Sequence, residues 1–174
     1  MPFTLRPALP SDAAALAAFG ERTFRDAFAA HNRAEDLEAY VALAYGVAQQ
    51  SAELADADVT CIVAETGDSI VGYALLRHDA ADDAPECVGR DAPVELARLY
   101  VDRGWHGRGV AAALMAAAVE AARGRGGRTL WLGVWEHNPR ARAFYAREGF
   151  REVGEHPFLL GADRQRDLLM ERAI

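Results

Sequence analysis

The sequence predicts a mixed α/β domain in which helices flank one mostly antiparallel central sheet. Three observations predict it. Apolar β-rich runs and segments of helical periodicity succeed one another along all 174 residues. Two of the runs, Thr60–Glu65 and Ile70–Arg77, are separated only by Thr66-Gly67-Asp68-Ser69, a hairpin signal. A strand, a glycine-rich turn and a helix then follow directly from Val94 to Arg123. The length and a hydrophobic share of 51% suit one domain over residues 1–174 with a single sizeable core.

Phe3–Arg6 alternates and reads as a short first strand, stopped by Pro7 and Pro10. Ser11 offers an N-cap to a helix carrying Leu16, Phe19, Phe24 and Phe28. A second helical region runs from Ala34 to Ala55, with Gly46 as its dividing point. The hairpin follows, then an acidic loop from His78 to Pro93 containing Asp79, Asp82, Asp83, Glu86 and Asp91. Val94–Val101 is a strand and Val110–Arg123 a helix that Gly124 ends. Thr129–Trp135 is a strand, and Pro139–Glu148 a helix stopped by Gly149. Phe150–Val153 and Leu168–Arg172 close the chain as strands. No internal repeat interrupts this order.

Composition removes several functions. All 19 basic residues are Arg, so a Walker-type phosphate lysine, a Schiff-base lysine and a lysine general base are excluded. A net charge of -7 argues against a nucleic-acid binder. Cys61 and Cys87 form neither a disulfide framework nor a zinc spacing, and read as two small packing or loop thiols. The longest weakly polar stretch, Val110–Val119, is too short to span a bilayer. The start, MPFTLRPALPSD, lacks a basic segment followed by an apolar run, so a cytoplasmic protein without a signal peptide is the simplest expectation. Charge is uneven: residues 1–87 carry 15 acids against 5 Arg, residues 88–174 carry 11 against 14.

Chemistry concentrates in Val94–Val153. There VELARLYV leads through DRGWHGRG into VAAALMAAAVEAAR. A glycine-rich turn opening a helix aims unpaired N–H groups and a positive dipole end at one point, and a phosphate is the expected guest. Neither the P-loop pattern nor Gly-x-Gly-x-x-Gly is met, since Ala112 stands where the third Gly belongs. Residues 98–151 hold 10 Arg against 4 acids, which adds positive charge to the same stretch.

His106-Gly-Arg-Gly-Val-Ala resembles the Gln/Arg-x-x-Gly-x-Gly/Ala turn of the Gcn5-related N-acetyltransferase family. LWLGVWEHNPRARAFYAREGFREVG is similar to that family's second signature, a strand, an Asn and a helix with Phe-Tyr ending in Gly-Phe. With LRPALPSDAAAL and DLLM at the edges, the resemblance spans nearly the whole chain. ELARLYV and GVWEHN resemble most the bacterial members that acetylate polyamines. The resemblance implies the acyl-coenzyme A N-acyltransferase fold, with acetyl-coenzyme A as co-substrate. It places the backbone of Leu99, Tyr100 and Val101 beside the pantetheine arm. The pyrophosphate falls on the turn His106, Gly107, Arg108, Gly109, Val110 and Ala111. His106 departs from the family's usual Gln or Arg.

Asn138-Pro139 reads as a helix start by itself, and the resemblance adds a bond from Asn138 to the cofactor. Tyr145, two turns further along, lies on roughly the same face and is the expected general acid, a half-buried packing role being the alternative. A backbone N–H at Val101 would serve the oxyanion. The incoming amine must lose a proton. Some family branches use a Glu on the fifth strand, but Gly133 stands there. By period two, Glu95 falls on the face of Ala97, Leu99 and Val101 and becomes the base candidate, with Glu136 second and a salt bridge the alternative for Glu95. The expected reaction is direct acetyl transfer to a small primary amine. Residues 35–91, with 13 acids against 2 Arg, point to a polyamine-like cation, with Phe24, Phe28 and Tyr40 on its alkyl chain. A protein N-terminus or a drug is the rival acceptor, a non-catalytic acyl-coenzyme A sensor the rival of another class, and a homodimer is left open.

Overall fold

The computed structural model describes residues 2–67, 69–78 and 84–174. Strand β1 (Thr4–Pro7) precedes α1 (Ala13–Phe28), α2 (Ala34–Ala44) and α3 (Val47–Ala55). Then come β2 (Val59–Thr66), β3 (Ser69–Arg77), β4 (Pro93–Val101), α4 (Val110–Gly124), β5 (Thr129–Trp135), α5 (Pro139–Arg147), β6 (Arg151–Leu160) and β7 (Asp163–Ala173). The strands form one seven-stranded sheet in the order β1-β2-β3-β4-β5-β7-β6. Every pairing is antiparallel except β4 with β5. No helix among the described residues is long and apolar enough to cross a membrane.

Each face of the sheet has its own core. Buried Val110, Leu114, Met115, Ala118 and Val119 of α4 pack on Val94 and Leu96 of β4 and on Leu130, Leu132 and Val134 of β5. On the other face, Leu16 and Phe19 of α1 cover Val63, Tyr73 and Leu75. Phe24 joins Leu37, Val41, Tyr45 and Leu160 in an adjoining cluster. The break between α2 and α3 falls at Gly46, which enters the second helix from an extended conformation.

Two expectations need correction, and a third falls on residues that are not described. Ser11 does not cap α1: a 3-10 turn over Pro10–Asp12 precedes the helix. Asp12 takes the cap position, and its carboxylate accepts from Arg6 and from the Leu9 N–H rather than from the helix. The closing strands are far longer than their apolar cores, because β6 and β7 pair from Arg151↔Glu171 to Leu160↔Asp163. Gly154 and Pro157 hide this in the sequence. Pro157 is tolerated because β6 is an edge strand that leaves one row of backbone groups unpaired. Finally, Asp68 of the hairpin turn and Asp79, Asp82 and Asp83 of the acidic loop lie outside the described residues.

Candidate active site

The parallel pair β4–β5 is joined only at Pro93↔Thr129, Val94↔Leu130 and Glu95↔Trp131. Beyond that point the two strands separate, so the middle of the sheet opens into a wedge. Asp102 N–H donates to the Val71 carbonyl, 2.9 Å, and Val101 stands opposite Gly72. By the alternation of an antiparallel ladder, the N–H and C=O of Val101 and Leu99 then face away from β3, into the wedge. The Val101 carbonyl is taken by His106 Nε2 at 2.9 Å, and the Val101 N–H and the Leu99 groups face a gap where β5 no longer supplies partners.

A cavity of about 810 Å³ passes through the wedge. On the α4 face it is lined by Leu99, Val101, Gly107, Gly109, Val110, Ala111, Asn138 and Tyr145. On the α1 face its walls include Phe24, Phe28, Tyr40, Tyr100, Trp135 and Phe158. The aromatic chamber is tightly built, with Phe24 4.8 Å from Tyr40 and Phe28 5.3 Å from Trp135 between ring centroids. Charge is segregated too. Arg103, Arg140 and Arg147 line the cavity with the glycine turn; on the aromatic side stand the carboxylates Asp26 and Asp167 and one further arginine, Arg98, whose charge is paired with Glu53.

Gly107 and Gly109 have φ of 75° and 84°, and nothing lies within 4 Å of where a Cβ would stand on either. The turn therefore needs glycine for its conformation and leaves open space over the start of α4. Arg108 does not line the cavity: its guanidinium lies over the Trp105 ring, 5.3 Å from the centroid. Arg103 beside the turn and Arg140 and Arg147 on α5 line the cavity instead. His106 has a structural task instead of the charged or amide role of Gln or Arg. Its Nε2–H donates to the Val101 carbonyl, 2.9 Å, and its Nδ1 accepts from Arg140. Burial and then the Arg140 charge hold the imidazole below its usual pKa, so it stays neutral and ties the end of β4 to α5.

Asn138 caps α5 through Oδ1, which accepts from Ala141 N–H at 3.1 Å, with Pro139 at the first helical position. The cap leaves the amide Nδ2 as a donor at the cavity wall. Tyr145 is buried, edge-on to Phe144 and Phe150 at 5.4 and 5.7 Å. Burial, with a smaller contribution from Tyr100, raises its phenol above the usual value, so it remains protonated. Tyr100 is corrected as a backbone contact: by the same alternation its N–H and C=O face Tyr73 of β3, and its ring turns to the α1 face, where its hydroxyl shares a 2.7 Å hydrogen bond with Tyr45. Neither cysteine lines the cavity, and burial pushes the Cys61 thiol up to about 12.

The face assigned to Glu95 is corrected. The β3–β4 register pairs Leu75 with Arg98 but Leu76 with Leu96, leaving Ala97 as an extra bulged residue. A bulge reverses the alternation beyond it. Val94, Leu96, Leu99 and Val101 all pack toward α4, whereas Ala97 and Tyr100 face α1. Glu95, between Val94 and Leu96, therefore points away from the face of Leu99 and Val101. It lines a separate cavity of about 480 Å³ with Glu53, Arg77 and His156. Glu136 does not line the main cavity either, and its carboxylate, held below the usual range by Arg166, accepts from Arg166 Nε at 3.0 Å.

Sequence reasoning missed Asp167. It stands opposite Trp135 of β5 and His156 of β6, and its side chain is only 14% exposed. Gly133 makes room for it, since a Cβ there would lie 3.2 Å from Asp167 Oδ2. The available signal is an acid directly preceding Leu-Leu-Met, one residue before the strand that the apolar run predicts.

The model of the acetyltransferase (GNAT) family matches residues 21–150. The chain belongs to this family. Among its relatives, an uncharacterized N-acetyltransferase of Mycobacterium bovis is 36% identical over 164 residues, covering 94% of this chain and 99% of the relative. Another, from Lactobacillus delbrueckii subsp. lactis, is 32% identical and covers 90% of this chain and 89% of its own length. Among solved structures, the PaiA N-acetyltransferase from Thermoplasma acidophilum, in complex with coenzyme A, superposes with a TM-score of 0.81 at 18% identity, covering all of both chains. A GCN5-related N-acetyltransferase from Rhodopseudomonas palustris gives 0.76 at 22% identity, over 100% of this chain and 97% of that one. Those two likenesses establish the fold.

The protein is thus a GNAT-type N-acetyltransferase, an enzyme whose co-substrate is acetyl-coenzyme A. Its residues fit that molecule. The wedge presents the Leu99 and Val101 backbone to an amide-bearing arm, and the open turn at Gly107 and Gly109 suits a pyrophosphate. Three arginines on the same rim match the phosphate charge.

Proposed function

We propose that this enzyme transfers acetyl directly to a small primary amine that enters from the aromatic chamber, opposite the coenzyme A side of the sheet. The carrying observation is the cavity through the wedge, with arginines and a glycine turn at one end and aromatic rings with carboxylates at the other. Leu99 and Val101 hold the thioester arm along β4, Asn138 steadies it with Nδ2, and Gly107 to Ala111 take the pyrophosphate. The Val101 N–H points into the wedge, where it stabilises the negative charge that develops on the thioester oxygen. Tyr145 O–H donates to the departing sulfur, and the last proton lost by the new amide nitrogen restores the phenol. A phenol kept protonated can serve a thiolate of reference pKa ~8.5 when held close. Transfer needs no enzyme nucleophile.

The acceptor class follows from the chamber. Aromatic faces attract an ammonium and pack on its carbon body. The polyamine-like expectation rested on the acids of residues 35–91, and none of the described ones lines the cavity. Asp36 accepts from Ala162 N–H, Glu38 pairs with Arg25, and Glu53 pairs with Arg98. Asp26, exposed at the chamber wall, keeps short polyamines within the class as a site for a second ammonium. Thiol release with acetyl-coenzyme A and a panel of 2-phenylethylamine, spermidine and a short peptide tests this reading. Small amines are expected to exceed the peptide in kcat/KM. Preference for the peptide would replace the acceptor class, and binding of acetyl-coenzyme A without turnover of any amine would favour a sensor.

A further inference from the structure

We propose that Asp167 is the general base of the reaction, meeting the acceptor ammonium in the aromatic chamber and taking its proton. The proposal deepens the small-amine reading and rests on it. Asp167 projects from β7 into the main cavity, where strands β4 and β5 have parted. Its side chain is 14% exposed, and its Oδ1 is buried without a hydrogen-bond partner among the described residues. A buried carboxylate oxygen without a donor is costly, and such groups concentrate where chemistry uses them. An acceptor ammonium supplies the missing donor.

The surroundings suit proton removal. The charged and titratable groups facing Asp167 are His156 from β6, Tyr100 from β4 and Tyr40 from α2. Asp26, His31, His137 and Arg98 line the same cavity, the Arg98 charge being paired with Glu53 of α3 at 2.6 Å. No Arg pairs with Asp167, and the nearest cation candidate, His156 Nε2, lies 4.0 Å from Oδ2. Burial lowers the His156 pKa, so that ring is neutral near pH 7. Burial pushes the Asp167 carboxyl up to about 6, a value suited to a base at neutral pH. In the step, an N–H bond of the ammonium breaks and its electron pair stays on nitrogen. An O–H bond forms on Asp167, and the neutral amine attacks the thioester. The proton leaves Asp167 for solvent once the amide has departed, which balances ammonium plus thioester against amide, thiol and one proton.

Asp167→Asn removes the base at nearly constant shape, and Asp167→Glu restores a carboxylate. At pH 7, Asp167→Asn is expected to lose on the order of 10²-fold in kcat/KM for 2-phenylethylamine, with coenzyme A affinity unchanged. In the wild type, kcat/KM should fall below a pKa near 6 as Asp167 is protonated. In Asp167→Asn that limb disappears and the rate climbs with the free-amine fraction instead, while Asp167→Glu keeps the limb at reduced rate. An unchanged acid limb in Asp167→Asn overturns the proposal. A second arm does not depend on turnover: calorimetry of 2-phenylethylammonium on the coenzyme A-bound enzyme. Asp167→Asn should bind it at least about tenfold more weakly, with neutral 2-phenylethanol unaffected, because only the cation meets the carboxylate. Equal weakening of both, or of neither, overturns the role of Asp167. If the wild type turns over no amine in the panel, the small-amine reading fails, and the binding arm still decides whether Asp167 holds an ammonium.

Discussion

Tyr145→Phe is expected to lower kcat on the order of 10²-fold while leaving acetyl-coenzyme A affinity nearly unchanged. The substitution keeps the ring, and with it the edge contacts to Phe144 and Phe150 that hold this part of α5. It removes only the O–H. Burial raises the phenol's pKa, so the wild-type side chain enters each cycle protonated. Without it, the thiolate must leave unprotonated or find a slower donor. Single-turnover rates separate this effect from product release. A chemical step at wild-type speed in Tyr145→Phe would return Tyr145 to a packing role.

Gly109→Asp is expected to weaken coenzyme A binding by at least about tenfold, since placing like charges together costs several kcal/mol. Two effects add. Gly109 has φ of 84°, a conformation that L side chains rarely adopt, and the new carboxylate would stand at the start of α4 where a pyrophosphate is proposed. Gly109→Ala carries the backbone strain without the charge. A larger affinity loss in Gly109→Asp than in Gly109→Ala, at comparable melting temperature, isolates the charge. Calorimetry reads both, and equal affinities in the two variants would remove the pyrophosphate from this turn.

The elements that carry the proposed cofactor side were legible because their information is local. Val94–Val101, the turn at Gly107 and Gly109, and the helix from Val110 are consecutive, and each segment declares itself by alternation, glycine spacing or period. Asn138 followed by Pro139 announces the start of α5 in the same way. On the acceptor side Phe24, Phe28 and Tyr40 were legible and line the chamber, but its carboxylate was not, for two physical reasons. The bulge at Ala97 inserts one residue into β4, so period two put Glu95 on the wrong face. Asp167 reaches the cavity only because β7 pairs with β5, placing it opposite Trp135, 32 positions earlier in the chain. No local pattern encodes such a pairing. The same holds for His106, whose bonds to Val101 and Arg140 join the two halves of the site and explain its departure from Gln or Arg.

The central claim is that both substrates occupy one cavity at once, coenzyme A on the α4 side and amine in the aromatic chamber, with direct transfer between them. Initial rates measured against both acetyl-coenzyme A and amine test it most directly. Simultaneous occupancy predicts intersecting double-reciprocal lines and no acetylated protein when acetyl-coenzyme A is added alone. Parallel lines, together with an acetyl group carried on the enzyme, would contradict it.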